Sequence, residues 1–321
     1  MFSPSFRTLI LPVPCADTIN PESEFRKTPD KHLMMLHTGG MNIPRYWARA
    51  KKEVPSPEGL HFDLAAWGWS SENREEAERK ADERLSSLIA RVQQGFNLDR
   101  GYAYGSRPLR EEIIDEFPGA DLQAILTRNS YGSLVLNTAQ MMFIDVDFPK
   151  TENGGGGFFR KLFGKEKAPN PETPAVARIR ESLKKSSDSS FRVYRTAAGL
   201  RILATDRLYE PASPEADEIM RSIGADPAFL QLCRIQKSFR ARLTPKPWRC
   251  DMELPPGTFP RERDQQQRFS RWLTRYEQAC GSKATCRFLE DVGRDGVHEQ
   301  IRPLLEYHDR KTRASEPFPL A

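Results

Sequence analysis

The fold is decided by the stretch MMFIDVDFP at positions 141–149. Its four leading apolar residues predict a buried β-strand, and two acids follow at alternate positions before Pro149 ends the strand. Because alternate side chains of a strand point to the same face, we expect Asp145 and Asp147 to stand side by side, about 6–7 Å apart at the backbone.

These two acids allow two interpretations. Carboxylates at this spacing repel each other unless a cation lies between them, and Mg²⁺ or Mn²⁺ is a hard ion that suits such a pair. The alternative is that Asp145 and Asp147 only end the strand and cap the following turn. The spacing of the acids alone is compatible with either role.

A second pair of strands is predicted downstream, where SFRVYR and LRILATD flank the four residues TAAG at 196–199. A gap of four residues that contains a glycine is typical of a β-hairpin. Guanidinium groups bind phosphate with two hydrogen bonds, and a turn of small residues can approach a triphosphate closely. Arg195, Thr196 and Arg201 are therefore candidate phosphate ligands, although the hairpin's arginines could instead face water.

The segment from Cys233 to Arg249 is strongly basic. Six cations occur within sixteen residues with no acid between them, and Phe239 and Trp248 supply aromatic rings. Basic side chains interleaved with aromatic ones are typical of grooves that bind single strands or nucleotides. Alternatively, Trp248 lies in the core and the cations form a solvated face. The candidate ligands here are Arg234, Arg240, Arg242 and Lys246.

The composition of the 321 residues supports a polyanionic partner. The net charge is +5, yet residues 158–250 contain nineteen Lys and Arg against ten Asp and Glu. No stretch approaches the roughly 18 apolar residues of a membrane span. Five cysteines without a CxxC pair indicate reduced thiols, so we expect a cytoplasmic protein that does not enter a membrane.

The chain is expected to have three parts: an irregular N-terminal arm over residues 1–60, an α+β domain over 61–255, and a helical C-terminal segment over 256–321. The Gly-rich stretch at 150–172 predicts a mobile loop. Strands and helices mix without strict βαβ alternation, which favours a largely antiparallel sheet flanked by helices. Helices are predicted near residues 71–95, 108–117, 173–185, 213–224, 227–233 and 262–280.

Taken together, these motifs resemble the archaeo-eukaryotic primase superfamily, which includes primase-polymerases, over roughly residues 100–250. Asp145 and Asp147 match its first acidic motif, and Asp226 in GADPAF would be its third acid. Where the family has a small residue, any residue and His, this chain has Arg201 and no His between His61 and His298. The basic segment resembles the family's nucleotide-binding strand.

The resemblance implies a primase-like or RRM-like catalytic core. Asp145, Asp147 and Asp226 would hold Mg²⁺ or Mn²⁺ for nucleotidyl transfer onto nucleic acid. The arginines of the hairpin and of the basic segment would bind nucleoside triphosphate or nucleic acid. Two alternatives stay open: a catalytically inactive module that binds nucleic acid or nucleotide, and a metal-dependent phosphodiesterase or nuclease. The sequence leaves the oligomeric state undetermined.

Overall fold

The computed structural model describes residues 40–55, 61–94, 107–117, 122–148, 189–294 and 296–321, together with Ala177, Arg180, Glu181 and Leu183. The chain divides into two compact units, each built from separate segments. The first unit comprises Met1–Pro118, Ile125–Val135 and Lys246–Ala279. The second comprises Gly119–Ala124, Leu136–Pro245 and Cys280–Ala321.

The described residues form an α+β fold with antiparallel sheets, as predicted. The strands are β1 Tyr46–Pro55, β2 His61–Ser70, β3 Glu112–Glu116, β4 Ala124–Arg128, β5 Leu134–Thr138, β6 Phe143–Asp147, β7 Phe191–Thr196, β8 Gly199–Ala204, β9 Phe239–Arg242 and β10 Cys286–Val292. The helices are α1 Arg74–Gln93, α2 Pro214–Ile223, α3 Pro227–Gln236, α4 Arg263–Cys280 and α5 Arg302–Thr312, and Pro247–Arg249 forms a short 3-10 helix.

The strands form three sheets. One is the hairpin of β1 and β2, and the others have the strand orders β10-β7-β8-β6 and β3-β4-β5-β9. The strand predicted before Pro149 and the two strands predicted around TAAG are confirmed as β6, β7 and β8. The helix predicted near residues 262–280 is confirmed as α4, and its aromatic side chains and Leu273 are buried.

In the first unit, α1 packs against the β1–β2 hairpin. Asn73 caps the helix by accepting a hydrogen bond from the backbone N–H of Glu76 at 2.8 Å. The buried face of the helix approaches β2 closely at Gly68, where an added Cβ would lie 1.9 Å from the carbonyl oxygen of Ala77. Only a residue without a side chain fits between this strand and this helix.

In the second unit, the sheet β10-β7-β8-β6 carries a buried apolar row. Ile144 of β6 pairs with Ile202 of β8, which pairs with Val193 of β7, and all three are at most 1% exposed. Alternation along these strands places Asp145 and Arg201 on the opposite face. The strand pairing thus keeps this acid and this arginine off the face of the apolar row.

Several predictions differ from the structure. Residues 108–117 were expected to be helical, but β3 lies there, because pairing with β4 outweighs the helix preference of its glutamates. The expected irregular arm contains β1, and the expected helical C-terminal segment contains β10, which pairs with β7. The loop at 150–172 and most of the helix at 173–185 lie outside the described residues.

We predict that Gly68→Ala opens the contact between β2 and α1. The methyl group would meet helix backbone, which cannot rotate away as a side chain can, so we expect a loss of about 1–3 kcal/mol. Hydrogen exchange should then accelerate along α1. Gly224→Ala is the control, because its φ of +91° is strained but an added Cβ meets nothing within 4 Å. Unchanged protection of α1 in Gly68→Ala would contradict this packing.

Candidate functional site

The register of three strands places the predicted site residues in one row. Antiparallel pairing of β6 with β8 sets Asp145 opposite Arg201 and Asp147 opposite Gly199. On the next strand, Tyr194 of β7 lies opposite Arg201. Asp145 and Asp147 therefore share a face, as alternation along the strand predicts, and Arg201 lies on that same face.

The small residue at the end of the TAAG turn has a packing role. A Cβ added to Gly199 would lie 1.9 Å from the carbonyl oxygen of Val146 on the paired strand. The sequence suggested that this turn allows a phosphate to approach, but the group that approaches Gly199 closely in the structure is the backbone of β6. Glycine at position 199 is thus explained by the strand pair alone.

Arg201 forms a two-pronged ion pair with Asp145. Its Nε donates to Oδ1 at 2.8 Å, and its Nη2 donates to Oδ2 at 3.0 Å. The third nitrogen, Nη1, donates to the backbone carbonyl of Arg242 at 2.7 Å. Arg201 is only 1% exposed, whereas the Asp145 side chain is 39% exposed. Both carboxylate oxygens of Asp145 are thereby engaged by one guanidinium.

The pKa of Arg201 reflects this arrangement. Burial lowers the pKa of the guanidinium, but the charge of Asp145 and the hydrogen bonds to it outweigh burial and raise the pKa above its ordinary value. Arg201 therefore stays a cation inside the protein, and its stability there depends on Asp145.

His308 of α5 covers the other side of Arg201. The imidazole is fully buried between the rings of Phe143 and Tyr194, with centroid distances of 5.4 and 5.0 Å. Its Nδ1 lies 3.0 Å from a carboxylate oxygen of Asp309, and its Nε2 lies 3.4 Å from Nη1 of Arg201. These partners assign the proton to Nδ1 and leave Nε2 as the acceptor.

Burial lowers the pKa of His308 below its ordinary value of 6.5, so this side chain is held neutral. Burial alone would raise the pKa of Asp309. Hydrogen bonds from His308 and Tyr194 instead hold it below its ordinary value. The Tyr194 hydroxyl donates to Asp309 at 2.6 Å, and Arg192 lies 3.1 Å from the second carboxylate oxygen. A continuous polar network thus runs from Asp145 to Asp309.

The remaining hairpin candidates do not join this network. Arg195 pairs in register with Leu200 and lies on the opposite face from Arg201. Its Nη1 donates to the carbonyl of Gly199 at 2.9 Å, and its guanidinium lies 4.8 Å from the ring centroid of Phe148. The hydroxyl of Thr196 accepts the N–H of Gly199 at 3.0 Å. Both side chains stabilise the turn.

Asp226 and the basic candidates of the second unit also have structural partners. Asp226 is the N-cap of α3 and accepts from the N–H groups of Ala228 and Phe229. Arg234 pairs with Asp217, and Arg240 donates to Gln236. The guanidinium of Arg242 donates to the carbonyl of Thr244 at 3.3 Å.

Lys246 belongs to a different cluster, in the first unit. Trp248 is 47% exposed, and its ring meets that of Tyr131 edge to face at 5.1 Å. Lys246 Nζ lies 5.3 Å from the centroid of Trp248 and 5.9 Å from that of Tyr131. We call Tyr131, Lys246 and Trp248 the aromatic cluster. Trp248 is therefore not a core residue, whereas Phe239 is fully buried.

Two short, hydrogen-bonded segments position the aromatic cluster. Tyr131 lies in the turn between β4 and β5, which is closed by the N–H of Asn129 donating to Ser133 at 2.9 Å. Gly132 follows with a φ of +84°, and an added Cβ there would lie 2.2 Å from the ring of Trp272. Trp248 lies in a 3-10 turn in which the N–H of Arg249 donates to the carbonyl of Lys246 at 2.9 Å.

The predicted metal site can be tested against these side chains. Arg201 occupies both oxygens of Asp145, and Asp226 caps a helix. Within the described ranges, no group of three or more His, Cys, Asp or Glu residues is arranged to hold a metal ion. Asp145 and Asp226 thus have protein partners in the described ranges, and the divalent cation stays an expectation from the resemblance.

No protein-family model, curated protein or solved structure matches this chain. The class is therefore defined by the fold alone, an α+β protein with antiparallel sheets. Among the described helices, none is long and apolar enough to cross a membrane.

Sequence reasoning missed His308, Asp309 and Tyr131. Their partners lie far away in the chain: His308 is 107 residues from Arg201, and Tyr131 is more than a hundred residues from Trp248. The adjacent pair His308-Asp309 carried a signal, because a carboxylate beside an imidazole often fixes its tautomer. Nothing in the sequence marks Tyr131 as the neighbour of Trp248.

We predict a strong energetic coupling between Asp145 and Arg201. Asp145→Asn leaves a buried guanidinium without its counter-ion and should cost about 3 kcal/mol of stability. The double variant Asp145→Asn/Arg201→Met removes both charges and should recover part of that loss in a denaturation cycle. Asp147→Asn is the matched control on the same face of β6, where we expect a change within about 0.5 kcal/mol. Equal losses for Asp145→Asn and Asp147→Asn would contradict the ion pair.

We predict that His308 makes the second unit sensitive to acid. Its pKa is lowered in the folded state, so the unfolded chain binds more protons below pH 6.5, and stability falls by up to about 1.4 kcal/mol per pH unit. Asp309 adds acid sensitivity only below its ordinary pKa of 3.8. Hydrogen exchange of β7 and α5 between pH 8 and pH 5 measures the effect. His308→Gln should reduce this loss of stability between pH 8 and pH 5. An unchanged pH dependence in the variant would rule out His308 as the cause.

Proposed function

We propose that the protein binds single-stranded nucleic acid through the aromatic cluster. The observation that carries this proposal is the 47% exposed ring of Trp248, flanked edge-on by Tyr131, with Lys246 near both rings. An exposed aromatic face accepts a base of any sequence by stacking, and a neighbouring ammonium group pairs with phosphate. The base of a nucleotide would therefore stack on Trp248, and its phosphate would pair with Lys246.

A single strand suits this cluster better than a duplex. Bases inside a duplex are stacked on each other, so their faces cannot reach a side chain, whereas an unpaired base is free to stack. Arg249 follows Trp248 in the same short turn and adds a second cation. This combination of an exposed ring and two nearby cations supports recognition of a flexible polyanion.

The cluster is held rigidly before any ligand arrives. Trp272 packs against the turn that carries Tyr131, and its Nε1 donates to the carbonyl of Glu253 at 3.0 Å. Tyr276 donates to Ser133 in that same turn at 3.3 Å. Helix α4 thus fixes the turn of Tyr131 and holds the chain at Glu253, five residues after Trp248, which reduces the conformational entropy that binding would otherwise cost.

The candidate cations of the second unit contribute less to this proposal. Arg201 is buried on Asp145, and Arg234 and Arg240 have side-chain partners within their own unit. Arginines that are held in this way are not arranged to clamp a triphosphate. The nucleotidyl-transfer and nuclease hypotheses stay predictions from the sequence, and the observed ion pair does not favour either of them.

We predict that Trp248→Ala weakens binding of a fluorescent oligo-dT about 5- to 150-fold, the equivalent of about 1–3 kcal/mol of stacking. Trp248→Phe should keep most of the affinity, because it keeps a ring. Leu254→Ala is the control for loss of exposed apolar surface nearby in the sequence, since Leu254 is 56% exposed. Fluorescence anisotropy measures all three variants. Equal affinity of Trp248→Ala and wild type would defeat the proposal.

The salt dependence of the same titration tests which cations contact phosphate. Two contacts, from Lys246 and Arg249, predict a slope of log K against log salt of about −1.4, whereas six contacts would give about −4. Lys246→Ala should reduce the slope by about 0.7. A duplex of the same length should bind more weakly than the single strand, and a preference for the duplex would count against stacking.

A further inference from the structure

A second feature of the first unit is a half-buried arginine whose buried guanidinium nitrogens lack partners in the described part of the chain. Nε, Nη1 and Nη2 of Arg261 are all buried, and none has a hydrogen-bond partner in the described part of the chain. The guanidinium lies 3.8 Å from the ring centroid of Phe269, which shields one of its faces from water. Because a guanidinium carries five N–H donors, Arg261 leaves five donors without an acceptor.

Two further orphaned atoms belong to its electrostatic neighbours. Arg128 is 3% exposed, and its terminal nitrogens reach Glu277 at 3.3 and 3.4 Å, but its Nε has no partner. Oε2 of Glu112 is likewise buried without a hydrogen bond. The negative charge of Glu112 raises the pKa of Arg261, and the positive charge of Arg128 lowers it. Within the described ranges, Arg261 nevertheless has no hydrogen bond to Glu112.

These three side chains cannot satisfy one another. Arg128 and Arg261 are both cations, and the charge of Arg128 lowers the pKa of Arg261. Glu112 Oε2 accepts no hydrogen bond from either guanidinium within the described ranges. Leaving buried donors unpaired is costly, particularly on a charged group. A small ligand with several acceptor oxygens and negative charge would satisfy both guanidinium groups together.

We propose that Arg261, Arg128 and Glu112 form a binding site for a small free oxyanion of the phosphate or sulfate class. Arg261 offers its fork of donors, and Arg128 offers Nε while its other nitrogens stay on Glu277. Protonated Glu112 donates a hydrogen bond to the anion from the third side. This site depends on residues outside the aromatic cluster and does not rest on binding of nucleic acid.

The protonation of Glu112 sets the pH dependence of this site. Burial is the largest cause that raises the pKa of Glu112 to about 7, while Arg261 and Arg128 oppose the rise. Glu277 is paired with Arg128. Below pH 7 the neutral acid donates to the anion, and above pH 7 the carboxylate repels it. Affinity for sulfate, whose charge is constant in this range, should fall as the pH rises through about 7.

Calorimetric titration of the full-length protein with sodium sulfate, against sodium chloride at equal ionic strength, tests the proposal. We expect Arg261→Met to weaken sulfate binding at least tenfold and still to fold, because methionine replaces a buried charge with apolar volume. Arg268→Met is the matched control on α4, since Arg268 is 66% exposed and pairs with Asp264. No binding by wild type, or equal binding by a folded Arg261→Met, would overturn the site.

Two further experiments test the role of Glu112 and identify the source of the anion. Glu112→Gln should bind sulfate with an affinity that no longer changes between pH 6 and pH 8, and a retained pH dependence would remove Glu112 from the site. Inorganic phosphate should bind at least as tightly as adenosine monophosphate, because the site is buried. Binding of the nucleotide alone would show that the ligand is not a free ion and would refute this part of the proposal.

Discussion

The second unit depends on the ion pair between the buried Arg201 and the partly exposed Asp145. A guanidinium that is 1% exposed must find an acceptor for each nitrogen, and the fold supplies Asp145 on one neighbouring strand and the carbonyl of Arg242 from β9. Nε2 of His308 on α5 is a further neighbour of the guanidinium, at 3.4 Å from Nη1. An arrangement of this kind contributes little net stability compared with an apolar core, but any other strand register would leave a buried charge unpaired. The pair therefore specifies how β6, β8, β9 and α5 come together.

This use of Arg201 changes what its sequence context means. An acid pair at a strand end and an arginine on the next hairpin predict a metal and a phosphate between them. The same residue types also form a self-satisfied salt bridge, and the two arrangements differ only in whether the charges contact each other directly. Here Nε and Nη2 lie within 3.0 Å of the carboxylate, so the groups neutralise one another. An exposed side chain such as Trp248, or one with unsatisfied donors such as Arg261, is better placed to bind a ligand than this neutralised pair.

Local patterns were sufficient to predict much of the fold. The strand before Pro149, the hairpin around TAAG and the helix near residues 262–280 were all predicted correctly, because each depends on a pattern within one segment. The glutamates at 111 and 112 indicated a helix, yet pairing with β4 made a strand, which is a tertiary effect that no local pattern contains. The candidate site was harder to predict from the sequence than the fold. The patterns marked Asp145 and Arg201 as candidate residues but did not predict the direct ion pair between them. His308 and Tyr131 meet their partners only through chain segments about a hundred residues apart.

Arg201 and Arg261 show why the hydrogen-bond partners of a buried charge matter more than burial itself. Both guanidinium groups are removed from water, and both lie near a carboxyl group. At Arg201 the nitrogens are satisfied by Asp145, a backbone carbonyl and His308, and the pKa of the arginine is raised. At Arg261 every nitrogen lacks a partner in the described part of the chain, and burial lowers its pKa to about 10. A charge that the fold satisfies has a structural role, whereas a charge that it leaves unsatisfied is free to select an anion, since the desolvation cost has already been met by folding.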